Sequence, residues 1–513
     1  MKYSAEESNP NIDPGYAELI LTTLRRQPDR VAFRFTDDQG HRRAWTYREV
    51  AERIVRTATV FGELGLTPGH GVALLSGPRP EAFTVMVAAC LAGLRYVALH
   101  PLGTAEADRV ILRDSAADLF VVDDSQFPTR ADQAGTKAIT MAALNRRVAD
   151  AQPGPQDPRG PALYLFYTGG TTGEPKGVML RDRSLVANAF ACSTWEWPQD
   201  TNFLITTPMS HAAGLFVAPG LLRGASFDVH ASFDPDKVID AIERDGVSAS
   251  FLVPTMLYAL LDHPRAAHAD LSGLRWLLYG AAPADTARIA RARELFGPIL
   301  SQHYGQAEAP NALTVLDSGE HRDDPAVLGS CGRAMPGVEI AILDSSGEEV
   351  APGAAGELCA RGPLVMDGYW NKPEETAAAL EGGWLHTGDV ARRDHTGLIT
   401  IVDRTKDIII TGGFNVYPRE VEDALATHPA VAAAAVYGLP DPQWGEAVTA
   451  AVVFHDGHTA SPRELAEHVR ATKGSVWAPK RIDVCDALPT TALGKIDKKA
   501  LRHTHPVREA PAQ

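Results

Sequence analysis

The stretch from Tyr167 to Leu180 contains the residues of this chain that are best suited to chemistry. It reads Tyr-Thr-Gly-Gly-Thr-Thr-Gly-Glu-Pro-Lys-Gly-Val-Met-Leu, and the apolar residues on both sides of its polar centre predict a strand, a loop and a second strand. Glycine lets backbone N–H groups approach an anion closely, threonine hydroxyls donate hydrogen bonds, and lysine adds a mobile positive charge. The stretch therefore predicts a polyphosphate-binding loop formed by Thr168, Gly169, Gly170, Thr171, Thr172, Gly173 and Lys176.

The spacing of this loop differs from that of a P-loop kinase. The P-loop places a glycine directly before a Lys-Ser/Thr pair at the start of a helix, whereas Pro175 precedes Lys176 here and Gly177 follows it. A P-loop kinase, which would release ADP, is therefore disfavoured. A Gly/Thr-rich surface turn with one lysine would have the same local composition, so the rest of the chain has to decide between the two interpretations.

The phosphate loop and the motifs that follow it resemble those of the adenylate-forming superfamily, which comprises acyl- and aryl-CoA synthetases, peptide-synthetase adenylation domains and luciferases. The resemblance covers nearly the whole chain, and the segment Lys473–Lys480 is similar to bacterial fatty-acyl and cinnamoyl-type CoA ligases. The downstream motifs that carry the resemblance are Tyr304-Gly-x-x-Glu308, Thr387-Gly388-Asp389, Asp403-Arg404, Gly412-Gly413 and the loop around Gly494-Lys495.

The resemblance implies a site for ATP and Mg²⁺. Tyr304 would offer a flat face to adenine, Gly305 would let the backbone pass the acyl carbonyl, and Glu308 would hold Mg²⁺, which prefers carboxylate and phosphate oxygens. Common relatives carry Thr or Ser where this chain has Ala307, so the role of that hydroxyl is either absent here or taken by Gln306 or Thr168. The segment that contacts adenine and lines the acyl pocket corresponds to Gly280, Ala281 and Ala282.

Two further motifs complete the machinery that the resemblance implies. Asp389 would grip both ribose hydroxyls, which suits a carboxylate because it accepts hydrogen bonds and donates none, and Arg404 would also contact the ribose. Lys495 corresponds to the family's catalytic lysine and would bridge the substrate carboxylate and the α-phosphate. The predicted catalytic residues are Lys495, Glu308, Thr168 and Lys176.

The acyl pocket is also assigned by resemblance. His211 corresponds to the family's aromatic or histidine gate beside that pocket. The placed segments contain no lysine or acid, and the aspartate typical of amino-acid-adenylating domains is not evident, so an aryl, arylacrylic or fatty acid fits better than an amino acid. The predicted lining consists of His211, Ala212, Ala213, Phe251, Gly280, His303, Gly305 and Asn311.

The resemblance divides the chain into a large N-terminal adenylation domain, 1–402, and a small mobile C-terminal domain, 403–513. Asp403 corresponds to the hinge, and the turn at Gly412 and Gly413 would border the tunnel for the pantetheine arm of CoA. The implied reaction has two steps. ATP first converts the acid into an acyl-adenylate with release of pyrophosphate, and CoA then displaces AMP after the C-terminal domain has turned.

The elements that must position these residues follow from hydrophobic periodicity. Val31–Phe35 alternates like a half-buried strand, Pro80–Leu91 has the length and composition of a buried helix, and Thr46 is expected to cap the helix that follows it. Strands that alternate with helices predict an α/β fold with helix-covered parallel sheets in the large domain. After residue 403 the pattern predicts a small α+β domain.

Composition restricts the partners and the location of the protein. The chain has 513 residues and a net charge of −15, from 49 basic and 64 acidic residues, which argues against nucleic-acid binding. Five cysteines are scattered without a CxxC pair, which favours reduced thiols over a disulfide scaffold or a zinc site. No apolar run is long enough to span a membrane, and no secretory signal begins the sequence. We expect a cytoplasmic enzyme, with a homodimer as a candidate assembly.

Three alternatives remain open from the sequence. Some relatives pass the adenylate to a nucleophile other than CoA, such as a carrier-protein thiol, an amine or a small inorganic nucleophile in natural-product pathways. A non-catalytic ATP-binding protein is a second alternative, which the retention of Lys176, Glu308, Asp389 and Lys495 disfavours. A luciferase-like oxidation of the adenylate is a third, and nothing in the sequence distinguishes it.

Overall fold

The structure is a computed structural model of the chain, and it describes residues 15–154, 160–168, 175–210, 212–490 and 496–504. The described residues fall into two compact units. The first unit ends at Ile340 and also includes Cys359–His386, and the second consists of Ala341–Leu358 and the chain from Thr387 onward. Seven predicted site residues lie outside the described residues: Gly169, Gly170, Thr171, Thr172, Gly173, His211 and Lys495.

The helices of the described residues are, in chain order, α1 (Tyr16–Arg26), α2 (Tyr47–Glu63), α3 (Pro80–Leu91), α4 (Ala105–Asp114), α5 (Arg130–Gln133), α6 (Met141–Asp150), α7 (Asp182–Ser193), α8 (Ala212–Leu215), α9 (Val217–Leu222), α10 (Pro235–Arg244), α11 (Pro254–Leu261), α12 (Thr286–Phe296), α13 (Pro325–Leu328), α14 (Pro373–Ala379), α15 (Pro418–Ala426), α16 (Pro462–Lys473) and α17 (Lys498–His503). Short 3₁₀ turns span Pro264–Ala267, Glu381–Gly383 and Thr405–Asp407.

The strands of the described residues are β1 (Val31–Thr36), β2 (Arg42–Thr46), β3 (Gly71–Leu75), β4 (Arg95–Ala98), β5 (Ala117–Val122), β6 (Ala138–Thr140), β7 (Leu163–Thr168), β8 (Lys176–Arg181), β9 (Asn202–Ile205), β10 (Ser226–Val229), β11 (Ala249–Leu252), β12 (Trp276–Gly280), β13 (Leu300–Gln306), β14 (Ala309–Leu316), β15 (Arg333–Ala334), β16 (Glu339–Leu343), β17 (Ala355–Arg361), β18 (Gly368–Tyr369), β19 (Leu385–Arg393), β20 (Ile399–Arg404), β21 (Ile409–Thr411), β22 (Phe414–Val416), β23 (Val431–Asp441), β24 (Gly445–Phe454) and β25 (Arg481–Val484).

Two large sheets form the first unit. One has the order β15-β14-β13-β12-β11-β9-β10-β1-β2, and its central strands from β13 to β1 are parallel. The other has the order β18-β8-β7-β4-β3-β5-β6, in which the strands from β7 to β6 are parallel and β8 and β18 are antiparallel additions. The predicted α/β class with parallel sheets is confirmed, with antiparallel strands at the sheet edges.

Helix α3 shows how the two sheets are held together. All twelve of its residues are buried, which is typical of a helix enclosed on every side. It joins β3 to β4 in the second sheet, and its Phe83 ring lies 5.9 Å from the ring of Phe33 on β1 in the first sheet. The expected cap at Thr46 is present as a capping box with Glu49 at the start of α2. None of the helices in the described ranges is long and apolar enough to cross a membrane.

The second unit contains smaller sheets. One has the order β16-β17-β19-β20, and the other has the order β22-β21-β24-β23 with β25 beside β24. Helices α15 and α16 bury Val421, Leu425, Leu465 and Val469 in the core of the latter sheet. The turn at Gly412 and Gly413 closes a hairpin between β21 and β22, and α15 then begins at Pro418. Strand β22 is only three residues long, which is too short for its periodicity to be recognised.

Candidate active site

The predicted phosphate loop lies between the antiparallel strands β7 and β8 in the chain. Thr168 ends β7 and pairs with Lys176, the first residue of β8, so these two residues flank the loop. Gly177 lies within β8, where a Cβ atom would come within 2.9 Å of the Tyr167 ring. The packing of Tyr167 therefore requires glycine at this position.

Tyr369 links two of the predicted catalytic residues, and the sequence analysis missed it. Its strand β18 pairs with β8, which brings Tyr369 opposite Val178. The Tyr369 hydroxyl donates a hydrogen bond of 2.7 Å to Oε1 of Glu308. The Nζ atom of Lys176 lies 5.1 Å from the centre of the same ring, within the range of a cation–π contact. Burial and the neighbouring Glu308 carboxylate raise the pKa of Tyr369, so its hydroxyl remains a donor.

Glu308 is suited to hold Mg²⁺. It lies in the turn between β13 and β14, its backbone carbonyl accepts a 2.8 Å hydrogen bond from the N–H of Met366, and its side chain is half-buried. The Tyr369 hydroxyl donates to one oxygen of the Glu308 carboxylate, and no donor among the described residues bonds to the other oxygen. A carboxylate oxygen that is positioned and available is the kind of ligand that Mg²⁺ uses beside phosphate.

The backbone around Gly280 and Gly305 is packed too closely to accept side chains. A Cβ atom on Gly280 would lie 2.4 Å from the carbonyl oxygen of His303, and one on Gly305 would lie 2.5 Å from the backbone nitrogen of Asn311. Ala281 and Asn311 both have positive φ, at 65° and 58°, a conformation that is uncommon for residues other than glycine. Gly280 ends β12 and is followed by Ala281 and the exposed Ala282, and Tyr304, Gly305 and Gln306 end the parallel strand β13, whereas Asn311 lies in the antiparallel strand β14. Open α/β sheets bind ligands at the carboxyl ends of parallel strands.

His303 is the centre of the predicted acyl pocket. Its ring lies 5.1 Å from the ring of Phe251, and its Nδ1 is 3.0 Å from the carbonyl oxygen of Asn311. The Asn311 amide donates in turn to the carbonyl of Ala212, at 3.3 Å, and Ala213 is buried in the same short helix, α8. The structure thus brings together the predicted pocket residues that it describes.

Trp195 and Phe216 belong to the same cluster and were missed from the sequence. Their rings lie 5.5 Å and 5.4 Å from the ring of His303. Neither residue is part of a motif. Both lie after α7 in the chain, far from His303 in sequence, and only the tertiary fold brings them into contact with it. A narrow space that does not admit a water molecule is lined by Trp195, Glu196, Trp276, Leu278, Ser301, Gln302, His303, Val315 and Asp317.

Two acids line this space, although the segments placed from the sequence contained none. Glu196 is already engaged, because it accepts hydrogen bonds from the Ser301 hydroxyl at 2.8 Å and from the Ser318 backbone and hydroxyl at 2.9 Å each. Burial and the nearby Glu196 raise the pKa of Asp317. The lining of this space is therefore acidic.

In the second unit, the two residues predicted to contact ribose contact each other. Asp389 and Arg404 are paired on β19 and β20, and Nε of Arg404 lies 2.6 Å from Oδ1 of Asp389. The Asp389 side chain is 4% exposed, whereas that of Arg404 is 48% exposed. The neighbouring Asp403 accepts hydrogen bonds from the backbone N–H groups of Arg404 at 2.7 Å and Arg419 at 2.9 Å. Its carboxylate thereby anchors the first turn of α15.

The predicted CoA turn carries an exposed aromatic surface. Gly412 and Gly413 have φ values of 57° and 81°, and the N–H of Gly412 donates to the carbonyl of Trp444 at 2.8 Å. Trp444 is 40% exposed, Phe414 is 57% exposed, and Nζ of Lys480 lies 5.4 Å from the centre of the Trp444 ring. The sequence analysis identified the glycines but not Trp444, whose contact depends on the pairing of β21 with β24.

The predicted catalytic lysine lies outside the described residues, but the residues on both sides of its segment are paired. Thr490 and Ile496 form an antiparallel bridge, and the N–H of Asp497 donates to the carbonyl of Pro489 at 2.8 Å. Asp497 then caps α17 by accepting a hydrogen bond from the N–H of Ala500 at 2.9 Å.

Comparisons with known proteins identify the family of the chain. Residues 21–370 match the AMP-binding enzyme family, and residues 420–495 match the AMP-binding enzyme C-terminal domain. A medium/long-chain-fatty-acid–CoA ligase of Mycobacterium tuberculosis is 43% identical over 94% of this chain and 89% of its own length. A feruloyl-CoA synthase of an Amycolatopsis species is 39% identical over 90% of this chain and 94% of its own length.

Among solved structures, an amide bond synthetase from Marinactinospora thermotolerans superposes with a TM-score of 0.84 at 34% identity, covering 94% of this chain and 99% of that chain. The chain therefore belongs to the AMP-binding enzyme family of adenylate-forming ligases. It is an AMP-forming ligase of the acyl-CoA synthetase type, whose reaction is the ATP-dependent activation of a carboxylic acid, and the non-catalytic alternative no longer stands.

Proposed function

We propose that this enzyme joins an aryl, arylacrylic or fatty acid to CoA, using ATP and Mg²⁺ and releasing AMP and pyrophosphate. The observation that carries the proposal is that Lys176 and Glu308 both contact Tyr369. The Lys176 ammonium lies over its ring, and the Glu308 carboxylate accepts a hydrogen bond from its hydroxyl. A polyphosphate needs a cation and a metal-binding carboxylate side by side, and this pair of contacts provides both. The similarity to fatty-acid and feruloyl CoA ligases supports CoA as the acceptor.

In the first step, a carboxylate oxygen of the acid attacks the α-phosphorus of ATP. A phosphorus–oxygen bond forms to the acid while the bond to the pyrophosphate oxygen breaks. Negative charge develops on the phosphoryl oxygens, so the barrier is lowered by donors and cations that are already in position. We assign these roles to Thr168, Lys176 and Lys495, and bound Mg²⁺ on Glu308 would offset the charge of the phosphates.

In the second step, the sulfur of CoA attacks the acyl carbonyl carbon. The bond between the acyl carbon and the phosphate oxygen breaks, AMP leaves, and the thiol proton passes to solvent. We assign the pantetheine path to the turn at Gly412 and Gly413 and the docking of CoA beside it to Trp444. The C-terminal domain would turn about Asp403 between the steps, as the resemblance implies, and such a motion can limit turnover.

The proposal is tested with purified protein, ATP, Mg²⁺ and a panel of benzoic, cinnamic and fatty acids, with and without CoA. Mass spectrometry would follow AMP and any new acyl-CoA. AMP together with an acyl-CoA confirms the ligase and identifies its acid. AMP or acyl-adenylate without a thioester contradicts CoA as acceptor, and absence of AMP with every acid contradicts the proposed substrate classes.

An amine acceptor is the second candidate, because an amide bond synthetase superposes on nearly the whole chain. The same incubations would therefore include a primary amine in place of CoA. An amide product that forms faster than the thioester at equal nucleophile concentration would favour this alternative. A thioester that forms faster would reject it.

A further inference from the structure

His303 presents an unused hydrogen-bond acceptor inside the predicted acyl pocket. The residue is 3% exposed, and its Nδ1 is 3.0 Å from the carbonyl oxygen of Asn311. Because a carbonyl only accepts, Nδ1 must carry the proton. In the neutral ring Nε2 then has a free lone pair, and no described residue lies within hydrogen-bonding distance of it.

The surroundings of His303 keep its ring neutral. Burial lowers its pKa to about 4, against a smaller opposing effect of the hydrogen bond to Asn311. At neutral pH the ring therefore presents Nε2 as an acceptor. A buried acceptor without a donor is costly, and such groups are uncommon unless a ligand or water completes them.

The position of Nε2 connects it to the reacting end of the site. A Cβ atom on Gly280 would lie 3.2 Å from Nε2. Gly280 is the last residue of β12, and Ala281, which belongs to the segment predicted to contact adenine, follows it directly. The Nε2 atom is therefore beside the predicted path of the acyl group. The narrow space lined by His303 and Trp195 does not admit a water molecule, so a substrate group that reaches Nε2 from this side has to displace the side chains around it.

The rings around His303 favour a flat substrate. Trp195, Phe216 and Phe251 lie between 5.1 Å and 5.5 Å from the His303 ring, at interplanar angles of 35°, 87° and 53°. An aromatic ring that enters among them gains tilted and edge contacts that an alkyl chain does not make. An alkyl chain would also leave Nε2 without a donor.

We propose that the acid activated by this enzyme is aromatic, with a hydrogen-bond donor on its ring, a hydroxyl or an N–H group, and that this donor meets Nε2 of His303. The proposal rests on the proposed function and deepens it. His303 is then a specificity-determining residue. The donor distinguishes this substrate class from unsubstituted aryl acids and from fatty acids.

The test compares kcat/KM for acyl-CoA formation among matched acids. Ring-hydroxylated benzoic, phenylacetic and cinnamic acids, and indole acids for the N–H donor, are each paired with the unsubstituted acid and the O- or N-methylated analogue. We expect the donor-bearing member of at least one pair to be preferred by about tenfold to a hundredfold. The His303→Phe variant should bring that ratio close to one, because it removes the acceptor that only the donor-bearing acid uses, whatever its effect on the rate common to both acids of a pair.

A second variant separates specificity from folding. His303→Gln keeps an acceptor oxygen and should restore part of the preference that His303→Phe loses. A wild-type ratio near one in every pair, or a preference that survives His303→Phe, would overturn the inference while leaving the ligase function intact. Absence of AMP with every acid would contradict the proposed substrate classes, and this inference with them.

Discussion

At the scale of single residues, Tyr369 is the side chain that contacts two of the predicted catalytic residues, Glu308 and Lys176. It donates to Glu308 and its ring faces Lys176. The sequence could predict Glu308 and Lys176 because each lies in a motif with a recognisable spacing. It could not predict Tyr369, because the two-residue strand β18 joins the site only through long-range pairing with β8.

Replacing Tyr369 with Phe should therefore reduce adenylation without unfolding the protein. The change leaves the ring over Lys176 but removes the donor to the Glu308 carboxylate, so the carboxylate should bind Mg²⁺ with less fixed geometry. We expect about a tenfold loss in kcat/KM and a higher Mg²⁺ concentration for half-maximal rate. Acid-dependent ATP–pyrophosphate exchange would measure both.

The matched control for this variant is Tyr437→Phe. The Tyr437 hydroxyl is buried and has no hydrogen-bond partner among the described residues, so its loss removes an oxygen without removing a contact. We expect near-normal exchange. Equal losses in the two variants would show that the Tyr369 hydroxyl has no special role.

Two buried histidines should make stability depend on pH. Burial lowers the pKa of both His303 and His321 to about 4, below the unfolded value near 6.5. The unfolded chain therefore binds more protons between these values, and the free energy of unfolding should fall as pH drops from about 6.5 to about 4, by roughly 2–3 kcal/mol per histidine. Above about pH 6.5 neither histidine should contribute a slope.

Urea unfolding at several pH values, followed by tryptophan fluorescence, would measure this dependence. His303→Phe removes one of the two groups and should flatten the slope between pH 4 and 6.5 by about half. His321→Gln should do the same for the other group. A slope that neither variant changes would place the titrating groups elsewhere.

At the scale of elements, periodicity predicted the helices and strands that position the site in the first unit. The helix at Pro80–Leu91 has the predicted bounds, because it begins at a proline and is strongly apolar. Short strands without an alternating pattern, such as β22, were not predictable. The aromatic cluster around His303 was only partly predicted, because Trp195 and Phe216 meet it through packing between distant segments.

The turn between β21 and β22 should govern the second half-reaction. In Gly412→Ala, the new methyl group would lie 3.1 Å from the Trp444 ring, which displaces the ring or the turn. Because a misplacement of about 1 Å can reduce a rate by about a hundredfold, we expect thioester formation to fall at least tenfold. ATP–pyrophosphate exchange should remain near normal.

Gly457→Ala is the matched control for the strain of a positive φ. Gly457 lies in the same unit with a φ of 74°, and a Cβ atom there would meet nothing within 4 Å. Both variants place alanine at a positive φ, which should cost a similar amount of free energy, but only the methyl group of Gly412→Ala lies close to Trp444. If both variants lost thioester formation equally, the defect would come from backbone strain and the assignment of the turn to CoA would fail.

Asp403 is the predicted hinge. It lies in β20, and its carboxylate accepts a hydrogen bond from the backbone N–H of Arg419 at the start of α15. Proline at this position fixes φ and removes the carboxylate that accepts from Arg404 and Arg419. We expect Asp403→Pro to retain at least about a third of the exchange activity and to lose thioester formation by tenfold or more. Asp403→Asn, which keeps an acceptor, should retain both activities. Equal loss of both in Asp403→Pro would argue against the hinge.

At the scale of the whole molecule, the two compact units carry different parts of the predicted machinery. The first contains Thr168, Lys176, Glu308 and the acyl pocket, and the second contains Asp389, Arg404 and the turn at Gly412. The sequence placed the boundary at 402/403 by resemblance. The resemblance could also predict the order of the motifs along the chain. It could not predict the side-chain contacts within each unit, because these depend on the three-dimensional fold.

Lys495 is the predicted catalytic lysine of the first half-reaction. Lys495→Ala removes the charge assigned to the bridge between carboxylate and α-phosphate, so adenylation should slow by about a hundredfold to a thousandfold. Thioester formation from a synthetic acyl-adenylate should change much less. Separate assays of the two half-reactions would decide, and equal damage to both would contradict the alternation of roles.

The central claim is that a carboxylate oxygen of the substrate attacks the α-phosphorus of ATP. The measurement that tests it most directly uses an acid labelled with ¹⁸O in both carboxyl oxygens, with ATP, Mg²⁺ and CoA, followed by mass spectrometry of every product. The account predicts AMP that carries one ¹⁸O atom and an acyl-CoA that retains the other. Unlabelled AMP, ADP in place of AMP, or label in the released phosphate would contradict it.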